Sequence, residues 1–233
     1  MRPKDPQFLE KLLESAAKVF AQKGLAKSRM SDIAQDMGVA TGSLYTYVEN
    51  KEALFFFLME RGTDDSPIRL PAELPLPAPT PEAIEIRLEE QIAKHFALPQ
   101  LDQALKRRKV ENVQRELVGI VNELYERTAA TRRVASAIER SAVDLPGLFA
   151  LYFLDIRRTT LRKFSRYVES RAKRGKFRLF KEPEVAARLM VETVIFAARH
   201  RHLDPDLPGW DEDTVRQTTI EFLTEALLAH NDT

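Results

Sequence analysis

The sequence predicts an all-α fold, and two observations carry that prediction. Glycine is scarce, with 8 in 233 residues, and most glycines fall at breaks between segments whose apolar residues recur every three or four positions. No proline falls between Gln7 and Ser66 or between Leu148 and Glu182. Long proline-free segments with this spacing of apolar residues indicate helices.

The first 62 residues predict a helix-turn-helix within a set of four helices. The predicted elements are a helix over residues 8–23 ended by Gly24, a second helix capped by Ser28, a break over residues 37–40, a third helix opened by Thr41 and a fourth helix from Lys51 to about Gly62. A helix, a glycine-containing turn and a short helix with hydroxyl and aromatic side chains together form a motif that reads DNA.

Residues 63–81 contain six prolines, which exclude a regular helix through most of the segment. An extended, polyproline-like linker and a partly disordered loop are both open interpretations. The further predicted helices cover Glu82–Ala97, Leu101–Val143 (as two helices), Leu148–Lys173, Glu184–His202 and a last segment that is capped by Asp211 or Asp213 and ends near Ala229. The predicted domains are therefore a helix-turn-helix domain over residues 1–62, a linker over 63–81 and a helical domain over 82–233.

The composition argues against several classes of protein. The chain has no cysteine, which excludes disulfides and thiolate metal sites, and its four histidines show no metal-ligand spacing. No nucleophile–base set or phosphate-binding loop is recognisable, so neither an enzyme nor a bound metal or cofactor is predicted. No signal peptide and no apolar run near the length of a membrane span is recognisable, so a cytoplasmic location without membrane contact is expected. A small helical enzyme and a pure interaction scaffold are the competing classes.

Residues 33–54 contain an ordered set of short motifs, which are Ile33-Ala34, Gly38-Val39, Leu44-Tyr45, Tyr47 and Asn50-Lys51-Glu52-Ala53-Leu54. This set resembles the tetracycline-repressor (TetR) family of bacterial regulators. The resemblance covers about residues 8–62, and the rest of the chain matches only in its helical layout. It implies a homodimer that binds a palindromic double-stranded DNA operator, with effector binding and dimerisation in residues 82–233. A repressor released by a small-molecule effector is the implied function, and an activator or a ligand-independent regulator is the alternative.

Ten residues are expected to contact DNA. Serine and arginine side chains open the second helix, and hydroxyl side chains with a glycine open the third, where backbone N–H groups can meet phosphates and side chains can reach base edges. The resemblance adds two tyrosines as DNA contacts and a lysine at the start of the fourth helix as a phosphate clamp. The expected contacts are Lys27, Ser28, Arg29, Ser31, Thr41, Gly42, Ser43, Tyr45, Tyr47 and Lys51.

The predicted reading segment lacks positive charge. Met30–Asn50 contains no Lys or Arg and holds Asp32, Asp36 and Glu49. Bidentate recognition of guanine, the commonest specific contact, therefore falls to Arg29 alone within the motif. One helix-turn-helix domain, the reading head of one protomer, is expected to bind DNA weakly and to depend on dimerisation.

The last two predicted helices carry apolar residues at helical spacing, and the resemblance implies that they pair with their copies in a dimer. The expected interface residues are Val185, Leu189, Ile195, Phe196, Val215, Phe222, Leu223 and Leu227. An effector pocket is expected within residues 82–174, because aromatic side chains with polar tips suit a mostly apolar cavity, and core packing is the alternative for each of them. The candidate lining residues are His95, Phe96, Tyr125, Phe149, Tyr152 and Phe153.

Residues 157–178 are strongly basic, with ten Lys or Arg residues and a single acid, Glu169. One interpretation is a solvated helix face paired with acids elsewhere, such as Asp204, Asp206, Asp211, Glu212 and Asp213. The other is a contribution to binding an anionic effector, for which acyl-CoA thioesters are candidates.

Overall fold

The structure is a computed structural model that describes residues 4–61, 68–80, 90, 96–204, 206 and 209–229. Its helices are α1 (Pro6–Lys27), α2 (Met30–Met37), α3 (Thr41–Leu44), α4 (Lys51–Arg61), α5 (Pro99–Lys106), α6 (Val113–Ala130), α7 (Arg132–Ala142), α8 (Pro146–Phe149), α9 (Arg158–Ala172), α10 (Pro183–Ala198) and α11 (Glu212–Leu227). A π-helical segment, Ala150–Arg157, joins α8 to α9, and a 3₁₀ turn, His200–Leu203, follows α10. The described residues contain two isolated β-bridges and no longer strand, so the all-α prediction is confirmed.

Contacts divide the chain into two units. The first comprises Met1–His95 and Arg133–Ile156, and the second comprises Phe96–Arg132 and Arg157–Thr233. The first unit therefore includes part of the segment that the sequence assigns to the C-terminal domain. The three domains drawn from the sequence stay a prediction, because a unit defined by contacts need not coincide with a functional domain.

The first unit is built around α1. Leu9, Leu12 and Phe20 of this helix are fully buried, as are Ile33 of α2 and Leu54 of α4. The three α1 residues share one face because they recur at the helical period, and α2 and α4 both pack against α1. The reading elements α2 and α3 are thus held on a helical support.

The backbone of α1 is interrupted at Gly24, where φ is 74° and ψ is 164°. Glycine adopts these angles without steric cost, and a Cβ at this position would lie 3.0 Å from the carbonyl oxygen of Arg140. Helical geometry resumes beyond the break as far as Lys27. Gly24 therefore breaks the helix where the sequence predicts, but it does not end the element.

Ser28 does not cap the second helix, so that prediction is wrong. Its backbone N–H and its hydroxyl both donate to the carbonyl of Gly24, at 3.2 and 2.5 Å, and Ser28 thereby closes α1. The residue before α2 is Arg29, whose N–H donates to Asp32 Oδ2 at 2.9 Å. The Gly24 carbonyl thus accepts the ordinary helical bond from the residue four positions later and a second bond from that residue's hydroxyl.

The second unit packs α5, α6, α9, α10 and α11 around an apolar core. Its fully buried side chains include Leu101, Leu117, Phe164, Val168 and Val194. Two charged side chains are buried within this core. The Arg171 guanidinium of α9 donates to the Glu116 carboxylate of α6 at 2.8 Å. An ion pair inside an apolar core has a large expected effect on stability.

Helix boundaries in the second half differ from the predicted ones. The sequence predicts two helices over Leu101–Val143, but three cover that span, because the chain leaves helical geometry at residues 107–112 and again at Thr131. Pro99 lies in the first turn of α5, where proline is tolerated. The single helix predicted over Leu148–Lys173 contains the π-helical segment, and the helix predicted over Glu184–His202 ends at Ala198. The helix predicted over Glu82–Ala97 lies almost wholly outside the described residues.

The start of the last helix matches the sequence. The Asp211 carboxylate accepts a hydrogen bond from the Thr214 N–H at 2.9 Å, so Asp211 is the cap. A side-chain acceptor at this position satisfies one of the free N–H groups of the first turn. The helix ends at Leu227, two residues before the predicted end.

Candidate nucleic-acid interface

α2, a tight turn and α3 form a helix-turn-helix. Gly38 ends α2 in the left-handed region, with φ 68° and ψ 33°. The Val39 N–H donates to the Ala34 carbonyl at 3.0 Å, which closes the turn onto α2. α3 then begins at Thr41, and the fully buried Leu44 anchors it in the core. The predicted turn and the predicted start of the third helix are confirmed.

Most of the expected DNA contacts are accessible. Gly42 lies exposed in the first turn of α3, and Tyr45, which follows α3, is 48% exposed. The exposed members of the expected set are Lys27, Arg29, Ser31, Gly42 and Tyr45, and the half-buried members are Thr41, Ser43 and Lys51. The fold leaves these eight residues available, whereas Ser28 and Tyr47 are buried. The roles of all ten as DNA contacts stay a prediction.

Gly42 is not required by the packing of the chain itself. Among the residues that the structure describes, a Cβ built on Gly42 meets nothing within 4 Å, and the Gly42 backbone lies outside the left-handed region. Alanine would therefore fit the fold and would favour helix more than glycine does. Any need for glycine at this position comes from what lies outside the chain.

Tyr47 is buried, which differs from the exposed position expected of a DNA contact. Its side chain is 6% exposed, and its ring stacks on Phe8 with the ring centroids 4.7 Å apart. The hydroxyl accepts a hydrogen bond from the Asp5 N–H at 2.8 Å. The described contacts give Tyr47 a packing role between α1 and the end of α3.

Lys51 makes three bonds inside the chain. Its ammonium donates to the carbonyls of Leu25, Ala26 and Ser28 at 2.8, 3.1 and 3.1 Å. A positive charge at the carboxyl end of α1 satisfies free carbonyls and complements the helix dipole. A phosphate oxygen would have to replace one of these acceptors, so the clamp role stays a prediction and a structural role is added to it.

Lysines of α1 neutralise the acids of α2. Lys23 Nζ lies 2.9 Å from Asp32 Oδ1, and Lys18 bonds to Asp36. The hydrogen bond from Lys23 holds the pKa of the Asp32 carboxyl below its usual value, and the bond from Lys18 does the same for Asp36. Both carboxylates remain ionised at neutral pH, but each carries its counterion, which reduces their repulsion of a phosphate backbone.

The expected effector-pocket residues fall in different surroundings. Phe149 is exposed and Tyr152 is buried in the first unit, where the Tyr152 hydroxyl donates to Glu139 at 2.9 Å. Tyr125 is buried in the second unit. The other members of the set are Phe96 and Phe153, which are half-buried, and His95, which lies outside the described residues. The pocket assignment stays a prediction.

The hydroxyl of Tyr125 donates to Glu212 Oε1 at 2.8 Å. Burial, followed by this bond to a carboxylate, raises the pKa of Tyr125 to about 12. Arg132 and Arg201 also donate to Glu212, at 3.1 and 2.5 Å. The polar tip of this candidate pocket residue is therefore already engaged within the chain.

The expected dimer residues divide into two groups. The exposed residues Val185, Leu189 and Phe196 recur on one stripe of α10, and Phe222 of α11 is 60% exposed. Leu223 and Leu227 are buried in the core of the second unit, against which Ile195 and Val215 also pack. Any contact with another copy therefore falls on the exposed group.

A groove of about 400 Å³ runs along this exposed face. Phe196, Trp210 and Phe222 line it together with Arg201 and several threonines. None of the six candidate effector-pocket residues lines the groove. Exposed aromatic side chains around a groove are typical of a surface that another molecule covers.

Four of the ten cations in the basic segment 157–178 form ion pairs with acids of the second unit. The ion pairs are Arg157–Glu192, Lys163–Asp102, Arg171–Glu116 and Lys173–Glu169. Arg174 and Arg178 donate to backbone carbonyls. These acids are not the five suggested by the sequence, and the anionic-effector interpretation stays a prediction.

In the described part of the chain, no group of three or more His, Asp or Glu residues could hold a metal ion. No helix in that part of the chain is long and apolar enough to cross a membrane.

Residues 12–57 match the family described as bacterial regulatory proteins, tetR family. The fatty acid metabolism regulator protein of Bacillus subtilis (strain 168) is 30% identical over 98 residues, which are 42% of this chain and 48% of that protein. The uncharacterized HTH-type transcriptional regulator YvdT of the same organism is 44% identical over 45 residues, which are 19% of this chain and 23% of that protein. The match thus spans about half the length of the first relative and about a quarter of the second.

Among solved structures, the ketosteroid transcriptional regulator KstR2 of Mycobacterium tuberculosis superposes with a TM-score of 0.59 at 17% identity. The superposition covers 95% of this chain and 95% of that chain. At this identity the likeness concerns the fold alone, and it extends over nearly the whole length of both chains.

Proposed function

We propose that the protein, whose residues 12–57 match the tetR family of bacterial regulatory proteins, is a homodimeric, sequence-specific DNA-binding regulator of transcription. We propose further that it represses transcription and that a small-molecule effector releases it from DNA. An activator or a ligand-independent regulator of the same fold is the alternative. No catalytic step is part of the proposal.

One observation carries the proposal, which is the accessible first turn of α3, with Gly42 exposed and Thr41 and Ser43 half-buried. A helix-turn-helix inserts the start of its second helix into the major groove. Here that start presents Thr41, Gly42 and Ser43, while Leu44 holds the helix in the core. Hydroxyls in this position can reach base edges, and backbone N–H groups can meet phosphates.

The exposed apolar stripe of α10 together with Phe222 supports the homodimer. Two reading heads bind successive half-sites about 34–36 Å apart when a dimer has two-fold symmetry. An effector that favours a conformation with a different head spacing would lower operator affinity, which is the mechanism proposed for release. A shift in head spacing needs no contact between effector and DNA.

A gel-shift measurement with the DNA that flanks the protein's own gene tests the proposal directly. The proposal expects a complex that survives excess random-sequence DNA, with half-sites related by two-fold symmetry in a footprint. An interaction scaffold or a helical enzyme would give no sequence-specific complex, and that result would reject the proposal.

Gly42→Ala should lower operator affinity without destabilising the protein. A methyl group in the first turn of α3 is accommodated by the fold, but it would obstruct close approach of the backbone to DNA. We expect operator affinity to fall by about one to two orders of magnitude, the size of one lost base contact. The thermal midpoint should stay the same or rise slightly, because alanine favours helix.

Binding titrations and thermal unfolding on the same preparations check the Gly42 prediction. The informative result is a fall in operator affinity without a fall in the thermal midpoint. Unchanged operator affinity in Gly42→Ala would show that the start of α3 does not approach DNA closely.

Arg29→Ala should relax sequence preference at one position in each half-site. Arg29 is exposed and is the one cation in the motif placed to read a base, since Met30–Asn50 has no Lys or Arg. Loss of a bidentate contact to guanine should cost the operator about 1–3 kcal/mol of binding free energy and leave binding to random DNA nearly unchanged. Titration against single-base operator variants measures the effect.

Lys27→Ala is the matched control for Arg29→Ala. Lys27 is an exposed cation at the end of α1, and loss of a phosphate contact should weaken binding to all duplexes alike and reduce the salt dependence. Equal losses on operator and random DNA for Arg29→Ala would reject its role in base reading.

A further inference from the structure

The proline-rich segment is attached to the residues that follow the reading helix. We call residues 68–80 the strap. The Leu76 N–H donates to the Tyr47 carbonyl at 2.8 Å, and the Glu49 N–H donates to the Leu76 carbonyl at 2.9 Å, which gives a parallel β-bridge between Val48 and Leu76. The Ala78 N–H donates to Glu49 Oε2 at 2.8 Å. Three hydrogen bonds therefore fix the strap to residues 47–49.

The start of the chain holds Tyr47 from its other end. The Asp5 N–H donates to the tyrosine hydroxyl, and Phe8 stacks on the ring at an interplanar angle of 20°. Lys4 Nζ lies 4.9 Å from the ring centroid, in a cation–π position. The backbone of Tyr47 is thus held by the strap, and its side chain is held by residues 4–8.

Tyr47 is coupled directly to α3. Its N–H donates to the Leu44 carbonyl at 2.9 Å, and the Val48 N–H donates to the same carbonyl at 3.1 Å. Leu44 and Val48 are both fully buried. A helix of four residues has few hydrogen bonds of its own to define its direction, so the groups that bind its carboxyl end determine how its first turn is presented.

We infer that the strap positions the reading helix for operator binding, with Leu76 as a positioning residue that acts through Tyr47 and Glu49. This inference rests on the proposed function. The strap does not touch the expected DNA-contact surface of α3 through these bonds. It reduces the freedom that α3 would otherwise lose on binding, and pre-organisation of this kind raises affinity without adding a contact to the ligand.

The bond from Leu76 is tested with Leu76→Pro, which removes the N–H donor, and Leu76→Ala, which keeps it. The probe is a duplex enriched by the wild-type protein from a randomised library, with random-sequence DNA for comparison. Leu76→Pro should lower operator affinity about three- to tenfold, the effect of one net hydrogen bond, and Leu76→Ala should stay within about twofold of wild type. The salt dependence should not change, because no cation is removed.

The bond to Glu49 provides a second pair that leaves the backbone of the strap intact. Glu49→Gln and Glu49→Ala both remove a negative charge close to the reading helix, but only glutamine keeps an oxygen that can accept from the Ala78 N–H. Glu49→Ala should therefore bind the operator about three- to tenfold more weakly than Glu49→Gln. Hydrogen exchange at the backbone N–H groups of residues 49 and 76 should be faster in Glu49→Ala than in Glu49→Gln.

The outcomes separate the inference from the proposed function. If wild-type protein binds no duplex above random DNA, the proposed function fails and the inference fails with it. If wild type binds a selected duplex and either Leu76→Pro or Glu49→Ala matches its paired variant, the inference alone is overturned. A loss of operator affinity in both variants at temperatures where each is fully folded supports the strap as a positioning element.

Discussion

Replacing Phe222 with Glu is expected to leave the protein monomeric at micromolar concentration. Phe222 is 60% exposed on α11, and the exposed stripe of α10 ends near it at Phe196, with which it lines the same groove. If this face pairs with its copy, each carboxylate would lie in an apolar contact without a partner. Burying an ionised carboxylate in that way is strongly unfavourable.

The expected size of the Phe222 effect follows from symmetry. Loss of one well-buried phenylalanine costs about 1.5–3 kcal/mol, and a two-fold interface contains the substitution twice, so the dimer should weaken by about 3–6 kcal/mol before the charge is considered. That energy corresponds to a dissociation constant raised by about two to four orders of magnitude. Operator affinity should fall by a similar factor, because a monomer loses the effective concentration of the second head.

Light scattering and operator titration check this prediction, and Leu179→Glu is the matched control. Leu179 is 85% exposed in the same unit, but it lies between α9 and α10 and outside both helices of the stripe. The control should keep the mass and operator affinity of wild type. An unchanged mass for Phe222→Glu would place the dimer contact elsewhere or show that the chain does not dimerise.

The exposed fractions of the side chains also decide which residue gives the better test of the dimer interface. Sequence spacing alone favours Ile195 and Phe222 equally, since both lie on apolar helix faces. Ile195, however, packs against the core of its own unit, so a charge there would disturb the fold as well as any interface. Periodicity shows that a helix has an apolar face, but it does not separate residues that face the protomer core from those that face outward.

The helix-turn-helix could be predicted because its determinants are local. Gly38 takes the left-handed angles that a tight turn after α2 requires, and glycine adopts them without cost. The Asp211 carboxylate caps α11 by accepting a hydrogen bond from the N–H of Thr214, three residues later in the sequence, which is again a local interaction. Signals of this kind are complete within a few residues and can be recognised in a single sequence.

The role of Tyr47 could not be predicted, because it depends on residues far away in the sequence. Its hydrogen-bond partners are Asp5, far before it in the sequence, and Leu76, far after it, and no sequence motif at either residue indicates the contact. The proline content of the strap correctly excludes helix, but it gives no information on the surface against which a non-helical segment packs. A tyrosine that resembles a DNA contact is here enclosed by two distant segments.

The ion pair between Arg171 and Glu116 leads to the largest expected effect on stability. Arg171 is 1% exposed, and its Nε donates to Glu116 Oε1 at 2.8 Å while a terminal nitrogen donates to the Ala104 carbonyl at 2.8 Å. Its guanidinium also lies 4.9 Å from the ring centroid of Tyr167. One side chain thus connects α5, α6 and α9 through the core of the second unit.

Arg171→Met is expected to destabilise the protein by about 3–5 kcal/mol, because it leaves the Glu116 carboxylate buried without its main partner. Arg107 is too exposed and too distant, at 3.9 Å from Glu116 Oε2, to replace that partner. For a chain of this size the thermal midpoint should fall by roughly 6–20 °C, at about 2–4 °C for each kcal/mol. Thermal unfolding monitored by circular dichroism measures the change.

The double substitution Arg171→Met with Glu116→Leu separates the cost of an unpaired charge from the value of the pair itself. Replacing both partners with apolar side chains of similar size removes the buried charge, so most of the lost stability should return. A double variant as unstable as Arg171→Met would mean that the bond to Ala104 and the contact with Tyr167 hold the three helices together. Recovery would instead mean that apolar packing alone is sufficient for stability and that the pair adds little net stability of its own.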